Sequence, residues 1–79
     1  MHVKIQAPFR TYFDAEAESI SAINDTGPFD ILRGHKNFMC LLRPGPISVR
    51  RPGQPDFAMS VDRGVMHVKA DKVIVFLDV

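Results

Sequence analysis

Apolar and polar residues alternate one for one along much of this chain, and that period of two limits what it can fold into. A β-strand turns successive side chains to opposite faces, so strict alternation places one face in a core and the other in water. Val3, Ile5 and Ala7 alternate with His2, Lys4 and Gln6. Ile47 and Val49 alternate with Ser48 and Arg50, and Phe57, Met59 and Val61 with Ala58 and Ser60. Each pattern predicts a half-buried strand. Residues 73–77, Val-Ile-Val-Phe-Leu, are apolar at every position. The run is too short for a helix and rich in β-branched residues, so it predicts a central strand or one end of an interface.

Turn signals punctuate these segments at 24–28, 33–35, 43–46, 51–55, 62–64 and 70–72. Proline presets φ and glycine reaches positive φ cheaply. Signals about 8 to 12 residues apart mark a sandwich or barrel. The one helix-favouring patch, residues 15–18, is too short to stand alone and is read as part of a long strand running to Ile23. The expected fold is all-β in one domain, residues 1–79, a sandwich or a barrel of short strands.

Composition narrows the function classes. The chain has 79 residues, 46% hydrophobic and 24% charged, with a net charge of +1. That is the balance of an ordinary globular domain and argues against disorder. It also argues against strong capture of nucleic acid or acidic lipid through bulk charge. No apolar run approaches the ~18 residues of a helical membrane span, and the first residues lack the apolar core of a secretion signal. A single cysteine, Cys40, forms no internal disulfide and fits a reducing compartment.

Candidate chemistry is sparse. Cys40 and His35 are five residues apart, but a nucleophile–base pair needs an orienting third group and an electropositive pocket, and Cys40 sits in an apolar run where a thiol acts as a small hydrophobe. His2, His35 and His67 lack the spacing of a metal site, so neither metal nor cofactor is expected. Asp14, Glu16 and Glu18 share one parity and line one strand face in solvent. Arg33, Lys36, Arg43, Arg50 and Arg51 would serve nucleic acid only if they converged, and the stacking aromatics of single-strand binders are missing. The informative stretch is residues 27–42. Phe29, Ile31, Leu32, Phe38, Met39, Leu41 and Leu42 surround a polar corner at 33–36, with apolar side chains on both parities. One face meets the core; the other is either covered by the same chain or offered to a partner.

These residues resemble the N-terminal β-sandwich of the epsilon subunit of F-type ATP synthase (delta in mitochondria). Residues 8–20 resemble the family's Pro, Phe, Gly, small residue and Ser-Val/Ile pattern. Gly27-Pro28-Phe29-Asp30-Ile31-Leu32-Arg33-Gly34-His35 resembles its Gly-x-Phe/Leu-Gly-Ile-Leu-Pro-Gly-His run. Leu42-Arg43-Pro44-Gly45 resembles its Leu-Lys-Pro-Gly, and residues 64–68 and 73–78 its two closing strands. The departures resemble those of a divergent member or an adapted relative: Ala15 and Asp30 stand for glycines, Arg33 for proline, Lys36-Asn37 for Ala-Pro, Asp62-Arg63 for Ser-Gly and His67 for Glu.

The resemblance implies a small β-sandwich of about eight to ten short antiparallel strands, and a non-catalytic rotor subunit joining the gamma subunit to the c-subunit ring, peripheral on the cytoplasmic face of the bacterial inner membrane. Proton or sodium flow would then drive ATP synthesis through it. By the same resemblance Phe29, Asp30, Ile31 and Arg33 match the part facing the ring loops. His35, Phe38, Met39 and Leu42 match the part meeting gamma, with Gly34 allowing the corner that presents His35. The implied chain neither inserts in the membrane nor binds nucleic acid, and is a monomer in isolation that self-associates at most weakly. Family members commonly continue into a C-terminal helical hairpin; the sequence stops at Val79, where that would begin, so inhibition or ATP sensing by a hairpin is not expected of these residues. A stand-alone sandwich adaptor and a small nucleic-acid-binding barrel are the alternative readings.

Overall fold

A computed structural model describes residues 1–34 and 37–78. Nine strands follow in chain order among them: β1 His2–Ala7, β2 Arg10–Glu16, β3 Ser19–Asn24, β4 Gly27–Leu32, β5 Phe38–Leu42, β6 Gly45–Arg50, β7 Phe57–Val61, β8 Gly64–Lys69 and β9 Lys72–Leu77. They form two sheets, one ordered β2-β1-β9-β8-β5 and the other β4-β3-β6-β7. The fold is therefore all-β, as the alternation predicts, and a sandwich, as the resemblance implies.

Two local expectations are corrected. The long strand through residues 15–18 to Ile23 is broken, because the chain changes sheets there. The Ala17 N–H donates to the Met1 carbonyl at 2.8 Å, and the next amide, Glu18, donates to the Arg50 carbonyl at 2.8 Å. Consecutive amides thus bond to opposite sheets, and β2 and β3 form on either side. Glu18 consequently leaves the face shared by Asp14 and Glu16. The second correction concerns direction: β9 pairs antiparallel with β8 but parallel with β1. The last strand enters the middle of a sheet whose first strand is already in place.

The inner faces follow the alternation. Val3 and Ile5 of β1, Val73 and Val75 of β9, and Met66 and Val68 of β8 are 0–2% exposed. Facing them, Ile20 of β3, Ile31 of β4, and Ile47 and Val49 of β6 are 0–1% exposed. Among the described residues every buried side chain is apolar. Each such large side chain is worth about 1.5–3 kcal/mol against exposure, and a domain of this size depends on all of them. A bulge marks β2: Ile5 faces Phe13 and Gln6 faces Thr11, leaving Tyr12 unmatched. Bulges and charges both discourage foreign strands from pairing with an edge, and β2 also carries Asp14 and Glu16.

Close approach is needed where β8 begins. A Cβ on Gly64 would lie 2.7 Å from the Phe76 carbonyl oxygen and 3.0 Å from Leu77 Cδ2. The first neighbour is backbone of the central strand and yields little. Gly64→Ala should therefore cost about 1–3 kcal/mol, as overpacking does. A lower urea midpoint with an unchanged slope is the expected result in a denaturation experiment.

Candidate functional site

The two outer faces differ in chemistry. On the β4-β3-β6-β7 sheet, Asp30, Ser21, Ser48 and Ala58 stand in one cross-strand row. The Ser21 hydroxyl donates to the Asp30 carboxylate within that row. That row is small and hydroxyl-rich, but the same face also carries Ile23, Pro28, Pro46 and the exposed Leu32 at its margins.

The other sheet presents apolar rows. Leu41, Val65, Phe76 and Gln6 form one row across β5, β8, β9 and β1. Met39, His67, Ile74 and Lys4 form the next. Met39 is 64% and Leu41 66% exposed, while Val65, Ile74 and Phe76 are half-buried. The continuous apolar run of β9 is now accounted for. Val73, Val75 and Leu77 fill the core; Ile74 and Phe76 lie on the outside. Towards β2 the same face becomes charged. The His2 ring contacts Asp14 through Nε2 and Glu16 through Nδ1, the latter at 3.2 Å, so His2 bridges two carboxylates that the sequence placed side by side in solvent.

The residues singled out from the sequence fall on different surfaces. Met39 lies in the apolar rows. Phe38 and Phe29 are half-buried and meet edge to face, ring centroids 6.3 Å apart, tying β5 of one sheet to β4 of the other. Ile31 and Leu42 are 1% and 3% exposed, so they support their neighbours from the core and offer a partner no surface. Asp30 points from the opposite sheet. Arg33 and Gly34 are exposed in the turn after β4, with Gly34 at φ 81°. His35, and with it the corner that Gly34 was expected to present, lies outside the described residues, as does Lys36. The reading missed Leu41, Val65, His67, Ile74 and Phe76 as one surface. The signal for it was the both-parity apolar run at 73–77; the strand order that sets it beside β8 and β5 was not legible.

Of the basic candidates, Arg33 and Arg50 line one open depression with Glu18, Ser19 and Leu32, while Arg43 and Arg51 lie elsewhere. Arg43 lies beside Asp25 at 3.6 Å, at the start of β6. Arg50 ends β6, roughly 17 Å further along a six-residue strand. Arg51 crosses to the Phe13 ring at 5.7 Å and donates to the Pro55 carbonyl at 3.0 Å. His2 and His67 are separated by β9, and among the described residues no cluster of three or more His, Cys, Asp or Glu is placed to hold a metal. Burial raises the Cys40 pKa above its ordinary value, and a hydrogen bond with the Asn24 side chain offsets this in part.

The fold is an all-β sandwich with two largely apolar rows open to solvent on the outer face of its five-stranded sheet. The comparisons give the family. The ATP synthase delta/epsilon chain β-sandwich domain matches residues 1–79, and the chain belongs to that family. The ATP synthase epsilon chain of Laribacter hongkongensis is 30% identical over 80 residues, covering 100% of this chain and 57% of that protein. The epsilon chain of Chromohalobacter salexigens is 35% identical over 69 residues, 87% of this chain and 49% of that one. The chain thus spans about half the length of these relatives. Among solved structures, a chain of the Euglena gracilis mitochondrial ATP synthase F1/c-ring superposes with a TM-score of 0.87 at 19% identity, over 95% of this chain and 48% of that one. A chain of the Tetrahymena thermophila mitochondrial ATP synthase central stalk and c-ring gives 0.81 at 19% identity, over 96% and 61%. These two share the fold.

The raised thiol pKa of Cys40 makes a prediction. Because the thiolate is the nucleophile, Cys40 in the folded domain should react with iodoacetamide at pH 7 at least several-fold more slowly than a free cysteine thiol. The rate should rise as pH climbs past the usual thiol range, and denaturant should abolish the protection. Mass-spectrometric alkylation kinetics check this.

Proposed function

We propose that this chain is the β-sandwich of a non-catalytic coupling subunit in an F-type ATP synthase rotor. It seats against the gamma subunit on one side and the c-subunit ring on another, so that both turn together as ions cross the membrane. One observation carries the reading: a domain of this family leaves two contiguous apolar rows, headed by Met39 and Leu41, open on one outer face. Exposed apolar rows of this kind are stabilised when a partner removes them from water.

In this reading the gamma subunit covers Met39, Leu41, Val65, Ile74 and Phe76. Apolar burial at the centre of the patch gives the joint its strength. Asp30, Arg33 and Gly34, on β4 and the turn after it, face the ring loops, where polar contacts set register more than affinity. Phe29, Phe38, Ile31 and Leu42 hold those strands in place from within. Polypeptide contacts transmit torque here, so the domain needs no cofactor or metal. The complex places it at the membrane periphery, on the cytoplasmic side of a bacterial inner membrane.

The test uses the exposed positions, where substitution spares the core. Met39→Asp and Leu41→Asp should each weaken binding to the purified gamma subunit at least tenfold, about 1.4 kcal/mol, with the far-ultraviolet circular dichroism unchanged. Ser48→Asp, on the opposite outer face, should bind gamma as the parent does. Undiminished gamma binding by both aspartate variants would remove the reading.

A further inference from the structure

The third row of the docking face breaks a rule that the rest of the fold obeys. Lys69 and Lys72 stand directly opposite each other across β8 and β9. The turn between them has only two residues, Ala70 and Asp71, with Ala70 held at φ 54°. Lys72 in turn faces His2, and Lys4 lies in the adjoining row. Like charges directly opposed across a ladder destabilise it, and so short a turn gives the strands little room to separate.

Nearby acids do not relieve the pair. Asp14 and Glu16 are both engaged by His2. The Asp71 carboxylate lies 3.6 Å from the terminal amine of Met1. Among the described residues none of Lys4, Lys69 and Lys72 has a carboxylate within ion-pair distance. Between the opposed lysines and the apolar rows lies an open depression lined by His67, Lys69, Ala70, Lys72 and Ile74. Its lining is mostly apolar and shares His67 and Ile74 with the row that Met39 heads.

We infer that the protein element docking on the apolar rows carries carboxylates at the end that reaches the opposed Lys69–Lys72 pair. This rests on the proposed gamma-binding role and names the chemistry gamma must bring to it. An incoming carboxylate relieves the repulsion and gains two cations at once. The bound form is then favoured over the free one by more than a single exposed ion pair would provide. A protein carboxylate fits better than a phosphate, because the lysines border an apolar floor that is continuous with the docking rows. One partner element covering rows and lysines together satisfies both features. The charges also sit at the rim of the patch, where they act on encounter rate and orientation.

The experiment measures association of the purified chain with the gamma subunit of the same organism by surface plasmon resonance, at about 50 mM and about 500 mM salt, between which charge interactions are progressively screened. Lys69→Glu should slow association about tenfold at the lower salt, and the difference should shrink at the higher. The same substitution turns a repulsive cross-strand pair into an attractive one. The isolated domain should therefore melt about 2–5 °C higher while binding more weakly. Loss of binding with gain of stability separates a docking role from a structural one. Unchanged association rates for both Lys69→Glu and Lys69→Glu/Lys72→Glu would overturn the inference, as would a melting temperature that falls with affinity in both. Binding lost with Leu41→Asp but kept with Lys69→Glu defeats this inference alone. A parent chain that does not bind gamma defeats the coupling role and this inference with it.

Discussion

The parallel pairing of β9 with β1 is the interaction on which the rest of the architecture depends. It joins Val3 to Val73 and Ile5 to Val75, bringing the two ends of the described chain side by side. Before it forms, the β1–β2 hairpin and the β8–β5 ladder are two separate ribbons, and two-stranded ribbons are marginal in water. With β9 between them they become one five-stranded sheet. The inner faces of Val73, Val75 and Leu77 then close the core against the second sheet. The cost is the closure of a long loop, which rises only slowly with length. The gain is a strand hydrogen-bonded on both sides and buried on one face.

That placement also creates the face with the apolar rows. β9 brings Ile74 and Phe76 to the outside, between His67 and Val65 of β8 and Lys4 and Gln6 of β1. β5 extends the rows with Met39 and Leu41. The opposite sheet has serines and an aspartate in the corresponding positions. The charged flank has its own order. His2 gathers the acids on β2, the Met1 amine draws Asp71, and among the described residues Lys4, Lys69 and Lys72 have no carboxylate within ion-pair distance.

Much of this was legible because a period of two leaves little choice. The alternation at residues 2–7, 47–50 and 57–61 assigned inner and outer positions that the fold keeps. The continuous run at 73–77 marked a central strand, as β9 is. The break at Ala17–Glu18 escaped because Ala-Glu-Ala-Glu contains neither proline nor glycine. The chain changes sheets there through bonds to the Met1 and Arg50 carbonyls, each far away in sequence. The site was half legible for a similar reason. Met39 could be read as exposed apolar bulk, but its neighbours in space come from β8 and β9. Ile31 and Leu42 were read as partner-facing by resemblance, yet each has the inward parity of its strand.

By itself the sequence determined that this chain is all-β and which residues of many strands turn inward, and its ordered motifs carried the resemblance to a β-sandwich family. The first two are local properties, set by side-chain alternation and turn chemistry. Only the tertiary structure decided which strands lie side by side, that the last pairs parallel with the first, and that Met39, Leu41, Val65, Ile74 and Phe76 share one face beside two opposed lysines. These follow from pairings between residues tens of positions apart, and a strand's own pattern says which way it faces but not whom it faces.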